Sequence, residues 1–520
     1  MSNAPAILRT FITYMVCVPL AVFLGYLLAN PTNPRDYTNM AIYGILALLL
    51  CFPLLLRWHN WLLLLFWNLS MNLFFLPGSP PPWLLMGALS LGLSVLQRTL
   101  IRRSQFVSVP EITWPLIFMT VVVMGTAKLT GGFGLRVLGS PEYGGRKYIC
   151  TFGAILGYFA LSALRIPPHR RKLALGLFFL GGVTGIIGEL YLVLPSGFNF
   201  LFWFFSPDTY ATSGGMFGEH QMIRFSATMG FSQAITQYML AWYGIRGIFL
   251  ARKPWRWIVF VLVSLAGLLG GFRNFAVLLV LVFSIQFFLE GMHRTKLLPI
   301  FGMLGISAML LILPQASRLP LTFQRSLAFL PVKLDPVAEA DAKESWEWRY
   351  EMWKEIFPLI PRHLLLGKGY GFSAEDYQFM GRDTAFHSIS ALGGGLGLSM
   401  DYHNGWISIL MTFGIWGMIA FLWFAAAGIY VLCCNYRYGD ASLRTANALL
   451  LATFIVRVLF VMTVSGLGLH ADLYFFTGLL GLGVSLNGGV CRQPAFQLSA
   501  AQKPSALTSP FPQSRPVFQR

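Results

Sequence analysis

Between Ser399 and Phe424 the chain reads SMDYHNGWISILMTFGIWGMIAFLWF. A short polar stretch holding Asp401, His403 and Asn404 runs directly into an apolar helix pattern, with no charged residue between Asp401 and Arg437. A run of that length crosses the roughly 30 Å hydrocarbon core of a bilayer as one helix. The same pattern recurs along all 520 residues, which are 56% hydrophobic, 11% charged and have a mean hydropathy of +0.63. Lipid cannot satisfy backbone polar groups, so an open chain of this kind spans a membrane only as helices. The expected fold is therefore all-α, a polytopic integral membrane protein of about 12–14 transmembrane helices with one large extracytoplasmic loop.

Apolar runs between charged or Pro/Gly-rich breaks place candidate spans at 11–29, 40–56, 61–76, 83–97, 112–129, 148–164, 173–194, 226–250, 257–271, 274–290, 297–313, 404–432, 445–464 and 470–488. The short pairs, 40–76 and 257–290, also fit re-entrant hairpins. The first run is preceded only by Arg9 and lacks a small-x-small cleavage pattern, so it reads as a retained helix and not a signal peptide. In domain terms, 1–209 are N-terminal transmembrane helices and 210–313 are helices with outer-face arginines. Residues 314–402 form a large periplasmic loop and 403–490 the C-terminal helices. Residues 491–520, rich in Pro, Ser and Gln, read as a disordered cytoplasmic tail.

Charge sets the orientation. With a cytoplasmic N-terminus and alternating spans, the inner segments hold 21 of the 38 Lys and Arg, including RTLIRR (98–103), RIPPHRRK (165–172) and RKPWR (252–256). Of the acids they hold only Glu111, Glu290 and Asp440, so the whole formal charge of +18 falls on the cytoplasmic side. A pI near 9.8 thus reflects topology against anionic inner-leaflet lipid and needs no nucleic-acid partner. Both termini then lie on the cytoplasmic side of a bacterial inner membrane, and Pro314 to Tyr402 lies on the outer side. The six cysteines all fall in spans or inner segments, so neither a disulfide framework nor a metal cluster is expected in the loop, and no metal or cofactor is expected overall.

A polar loop of this length is usually functional. Within AKESWEWRYEMWKEIFPLIPRH (342–363), Trp346, Tyr350, Trp353 and Phe357 recur at helical spacing. Their aromatic face fits a membrane surface, while Arg349 and Arg362 fit an anionic ligand. GKGYG (367–371) lacks the spacing of a nucleotide loop and reads as a tight turn, as does GGGLG (393–397). Arg224 heads one span, and Arg273 follows the Gly270-Gly271 turn between two short apolar runs. Arg457 sits inside the apolar run FIVRVLFVM and calls for a partner, Asp472 first and Glu189 second. A structural salt bridge and a substrate contact both fit it.

In order along the chain, RFSATMGFSQAITQYM (224–239), GGFRNF (270–275), RYEMWKEI (349–356), LLLGKGYG (364–371) and HNGWISILMTFGIWGMIAF (403–421) resemble the bacterial O-antigen ligase and polymerase family. The resemblance covers roughly Tyr210 to Trp423. It implies transfer of a glycan from an undecaprenyl-diphosphate-linked donor to an acceptor glycan or lipid A core, without metal or nucleotide and with inversion. The family turn is expected to carry serines where this chain has Gly270, Gly271 and Phe272, which puts in question a serine contact to phosphate but not the arginine.

That chemistry suits these residue types. A departing diphosphate needs guanidinium donors, a role assigned to Arg224 and Arg273 with Arg349 as a third candidate. The attacking hydroxyl needs a base, for which His403 is the first candidate and His387 and His220 are alternatives. Asp401 is a candidate orienting group, and Asn404 fits either a helix cap or a hydroxyl contact. A polysaccharide or lipid-linked oligosaccharide transporter is the alternative. It is disfavoured because 11 of the 20 acids lie in the 314–402 loop and not deep in the spans.

Overall fold

A computed structural model describes residues 55–76, 78–100, 107–130, 145–207, 224–371, 401–463 and 468–492, with a few isolated positions besides. His220, His387, most of the first two expected spans and the C-terminal tail lie outside the described residues. Among those described there is helix and no strand. The protein is an all-α polytopic membrane protein.

In chain order the main helices are α1 (55–67), α2 (Pro82–Leu100), α3 (Pro110–Thr130), α4 (Gly145–Ser162), α5 (Arg171–Leu180), α6 (Ser226–Phe249), α7 (Pro254–Gly267) and α8 (Arg273–Leu289). They continue as α9 (Leu297–Ile312), α10 (Leu321–Leu327), α11 (Pro336–Ile356), α12 (Gly405–Tyr438), α13 (Arg444–Thr463) and α14 (Leu469–Asn487). Six helical stretches among the described residues are long and apolar enough to cross a membrane: Pro110–Thr130, Pro168–Leu192, Leu297–Arg318, Gly405–Tyr438, Ala441–Thr463 and Leu469–Asn487. The α7 and α8 helices are apolar but shorter. No residue of α9 is buried, and Leu304, Leu310 and Leu311 are well exposed, a pattern suited to lipid on all sides.

Several boundaries differ from expectation, among them the span expected at 61–76, which is helix only to Trp67. The break expected between spans at Arg57 to Asn60 is instead helix, because buried His59 finds Ser90 Oγ at 2.9 Å and so continues the turn without an unsatisfied ring nitrogen. The span expected at 173–194 changes character at Gly181, where α5 passes into 3₁₀ turns to Leu192.

The core is built around Trp67, Tyr148, Phe421, Phe454 and Phe476, all essentially inaccessible. Small residues let the helices approach closely, with Gly428 against Phe454 and Gly481 against Leu161. At one end of the bundle, hereafter the loop face, lie the start of α6, the α7–α8 turn, α10, α11 and the start of α12.

One break in a long helix fixes that face. Within α12, Gly414 has φ +64° and ψ −161°, so the helix is two pieces joined at one residue. The backbone groups left over are taken by the LLLGKGYG segment: Ile415 N donates to Leu364 O at 2.7 Å, Lys368 N to Met411 O at 2.7 Å and Gly369 N to Thr412 O at 2.8 Å. Gly367 and Gly369 have φ of +73° and +69°, and a Cβ on Gly367 would collide with the backbone of Thr412 and Phe413. These glycines therefore dock the segment after α11 into the gap of α12.

Candidate active site

Four charged side chains converge where α6, α8, α10 and α11 meet. Arg224, just before α6, donates from Nη2 to Asp341 Oδ1 at 2.5 Å. Arg325 of α10 donates to the other oxygen of the same carboxylate and to the backbone oxygen of Gly271. Arg273, the first residue of α8, donates to the backbone oxygen of Ala342 at 3.4 Å. Two guanidinium groups thus share one carboxylate with a third beside them, a local formal charge of about +2.

Local sequence explains the convergence. Gly271, with φ +66°, reverses the chain between α7 and α8 and presents its carbonyl to Arg325. Gln324, 2% exposed, donates to Ser317 O at 3.1 Å and Leu319 O at 2.7 Å and accepts from Asp335 N at 2.6 Å, stitching α10 to the start of α11. Asp335 caps α11 by accepting from Val337 N at 2.9 Å. Arg325 and Asp341 form the buried base of the cluster, with side chains 6% and 9% exposed, while Arg224 and Arg273 are half-buried above them. Burial and the neighbouring Arg224 lower Arg325 to about 10, still charged near neutrality. Burial would raise Asp341, but Arg325 and Arg224 outweigh it and hold the carboxyl below its usual range.

The second part of the site is the turn into α12. Asn404 accepts from Trp406 N at 3.2 Å and caps the helix, so the structure gives it the cap role. His403 has φ +49°, a left-handed conformation that a non-glycine residue adopts only where its surroundings hold it. Three contacts do so. Tyr402 N donates to Ser408 Oγ at 3.1 Å, Trp353 Nε1 of α11 donates to Tyr402 O at 2.7 Å, and the Asp401 carboxylate accepts the backbone N–H of His403. Asp401 thus holds the His403 backbone through its carboxylate. Its Oδ1 is buried with no hydrogen-bond partner among the described residues.

Burial and the Arg349 guanidinium push His403 down to about 4, so its imidazole is neutral near pH 7. Burial pushes Asp401 up to about 7, against the pull of Lys147. Arg349 therefore belongs with His403. It lies eight residues beyond Asp341 on α11, an axial separation of about 12 Å, and is not part of the arginine cluster. Helix α11 connects the two parts of the site, Asp341 serving one and Arg349 and Trp353 the other.

Arg325 is the member that sequence reading missed. Pro320 caps a helix whose Thr322, Arg325 and Ser326, at i, i+3 and i+4, are all buried, a pattern that only the packing of α10 reveals. Glu189 is not the partner of Arg457, since it accepts from Thr228 N at 2.8 Å and Thr228 Oγ1 at 2.5 Å at the start of α6.

Residues 225–422 match the O-antigen ligase family model. The matched stretch, 198 of the 520 residues, makes this part of the chain similar to that family. The match opens at α6 and closes inside α12, so it takes in Arg273, Arg325, Asp341, Arg349 and His403, with Arg224 one residue ahead of it. It supports a membrane glycosyltransferase-like role in polysaccharide assembly. No curated protein matches the chain significantly.

Proposed function

We propose that the protein transfers a glycan from an undecaprenyl diphosphate carrier to an acceptor hydroxyl at the extracytoplasmic face of the bacterial inner membrane, with both termini in the cytoplasm. The observation carrying this reading is an arginine cluster with excess positive charge joined by one helix to a neutral, backbone-strained histidine, inside an O-antigen ligase domain.

The donor diphosphate is held by Arg224 and Arg273, with Arg325 and Asp341 fixing their positions. Guanidinium groups stay charged and bind phosphate oxygens in pairs, and their stabilisation grows as charge develops on the leaving group. At His403 the neutral imidazole takes the proton of the acceptor hydroxyl as its oxygen bonds to the anomeric carbon. The bond from that carbon to the diphosphate oxygen breaks, and its electron pair leaves with the diphosphate. One displacement inverts the anomeric centre and releases the carrier diphosphate with the new glycoside.

A pKa near 4 makes His403 a weak base in the empty site. An arriving diphosphate offsets the positive field of Arg349 and raises that basicity, so proton acceptance is strongest when donor is bound. Arg349 thereby couples donor occupancy to the base. The reading is tested with purified protein in vesicles containing a polyprenyl-diphosphate-linked glycan and an acceptor. Glycan transfer is expected, and transport of the intact donor without transfer would refute it. In a deletion strain, full-length lipid-linked polymer that fails to reach the outer surface identifies a ligase, and single unpolymerised units identify a polymerase.

A further inference from the structure

Arg457 takes no part in the site above and lies outside the matched domain. It sits in α13 six residues before Thr463, and Gln233 sits in α6 seven residues after Ser226, so both lie about 10 Å below the loop-face ends of their helices. Together with Gln237, Asn68 and Tyr474 they line a cavity of about 200 Å³ between α1, α5, α6, α13 and α14. The Arg457 guanidinium lies 4.3 Å from the centre of the Phe475 ring, and no carboxylate among the described residues forms an ion pair with it. The Asp472 carboxylate attracts it from beyond ion-pair distance, and the cavity leaves room for a further counter-charge in direct contact.

The surroundings restrict what fits. Gln233 and Gln237 are one helical turn apart, so their amides face the cavity from the same side as donors for oxygens. A smaller space of about 30 Å³ shares Gln233, Gln237 and Arg457 and continues between apolar Leu240, Phe275, Leu278 and Val282. Arg457 and amide side chains set among apolar residues, inside the membrane-spanning helices, suit an amphiphile with an anionic head.

We propose that Arg457, Gln233 and Gln237 form a second anion site, separate from the Arg224, Arg273 and Arg325 cluster, that takes the phosphate headgroup of a membrane lipid. The guanidinium provides the bidentate pair to phosphate oxygens, and the glutamine amides complete the shell. The ligand class is a phosphomonoester or phosphodiester lipid.

The test uses the full chain in neutral detergent, with binding measured against dioleoylphosphatidylglycerol, a polyprenyl monophosphate, dioleoylglycerol and inorganic phosphate. Saturable binding of at least one phosphate-headed lipid is expected, with none for dioleoylglycerol. Arg457→Gln should weaken it at least tenfold, and Gln233→Leu/Gln237→Leu should do so even if Arg457→Gln fails to fold. Arg224→Ala/Arg273→Ala should leave it within twofold. Equal binding of inorganic phosphate would overturn the lipid assignment. Binding that both the Arg457 and the glutamine variants leave unchanged, or that is lost in the Arg224→Ala/Arg273→Ala variant, would overturn the site.

Discussion

The two halves of α11 use burial in opposite ways. Around Asp341, buried groups stay ionised because the carboxylate pairs with Arg224 and Arg325, while Arg273 donates to the backbone oxygen of Ala342. Around Arg349 and His403, burial favours neutrality, with His403 lowered to about 4 and Asp401 raised to about 7. Desolvation disfavours charge in both places, and the presence of hydrogen-bonded counter-charge decides the outcome. A leaving diphosphate needs permanent cations and an attacking hydroxyl needs an uncharged base, so one helix joins two environments that a single pocket would not sustain together.

The strongest way to break this division is to remove its neutral end. His403→Ala should reduce the rate of glycan transfer by about 10²–10⁴-fold with donor binding nearly unchanged, read as kcat against KM in the vesicle assay. Loss of donor binding alone would move His403 into the anion site. Removing a cation should act differently. Arg273→Ala is expected to reduce transfer by about 10²–10³-fold and to weaken donor binding as well, and Arg325→Leu to resemble it with an added loss of thermal stability because Asp341 loses a partner. Normal activity in both would detach the cluster from the reaction.

The coupling between the halves is open to a finer test. Arg349 lowers His403, so Arg349→Ala raises the His403 pKa. A base must be unprotonated to act, and activity is lost as pH falls through its pKa. The acid limb of the pH–rate profile should therefore move to higher pH in Arg349→Ala, by up to about one unit. An unmoved or lowered limb would exclude Arg349 as the electrostatic neighbour of the working base.

The sequence made one half of this arrangement more legible than the other. Bilayer-length apolar runs announce spans directly, and Arg224, Arg273 and His403 stood out because polar groups at the ends of such runs are few. Arg325 did not, because in RLPLTFQRSLAFL one charge among several in a polar loop carries no periodic signal until α10 is known to pack on the Gly271 turn. The break at Gly414 was hidden for the opposite reason. Apolar residues continue through it without interruption, and its backbone partners are supplied by residues 364–369, far away in sequence. Spacing sets Asp401 beside His403 but does not say which of its groups is contacted, and the carboxylate meets the backbone N–H.

The smallest expected effect tests whether the strain at His403 is held locally or by the whole face. Asn404 both caps α12 and follows the residue with φ +49°. Asn404→Ala removes the bond to Trp406 N, and caps of this kind are worth about 0.5–2 kcal/mol. If Trp353, Ser408 and Asp401 suffice to hold the turn, the cost should stay near 1 kcal/mol in thermal stability, with transfer within a few-fold of the parent, and Asn404→Asp should recover most of it. A loss of activity approaching that of His403→Ala, with stability barely changed, would mean that Asn404 contacts substrate. The helix-cap reading would then give way to a hydroxyl contact beside the base.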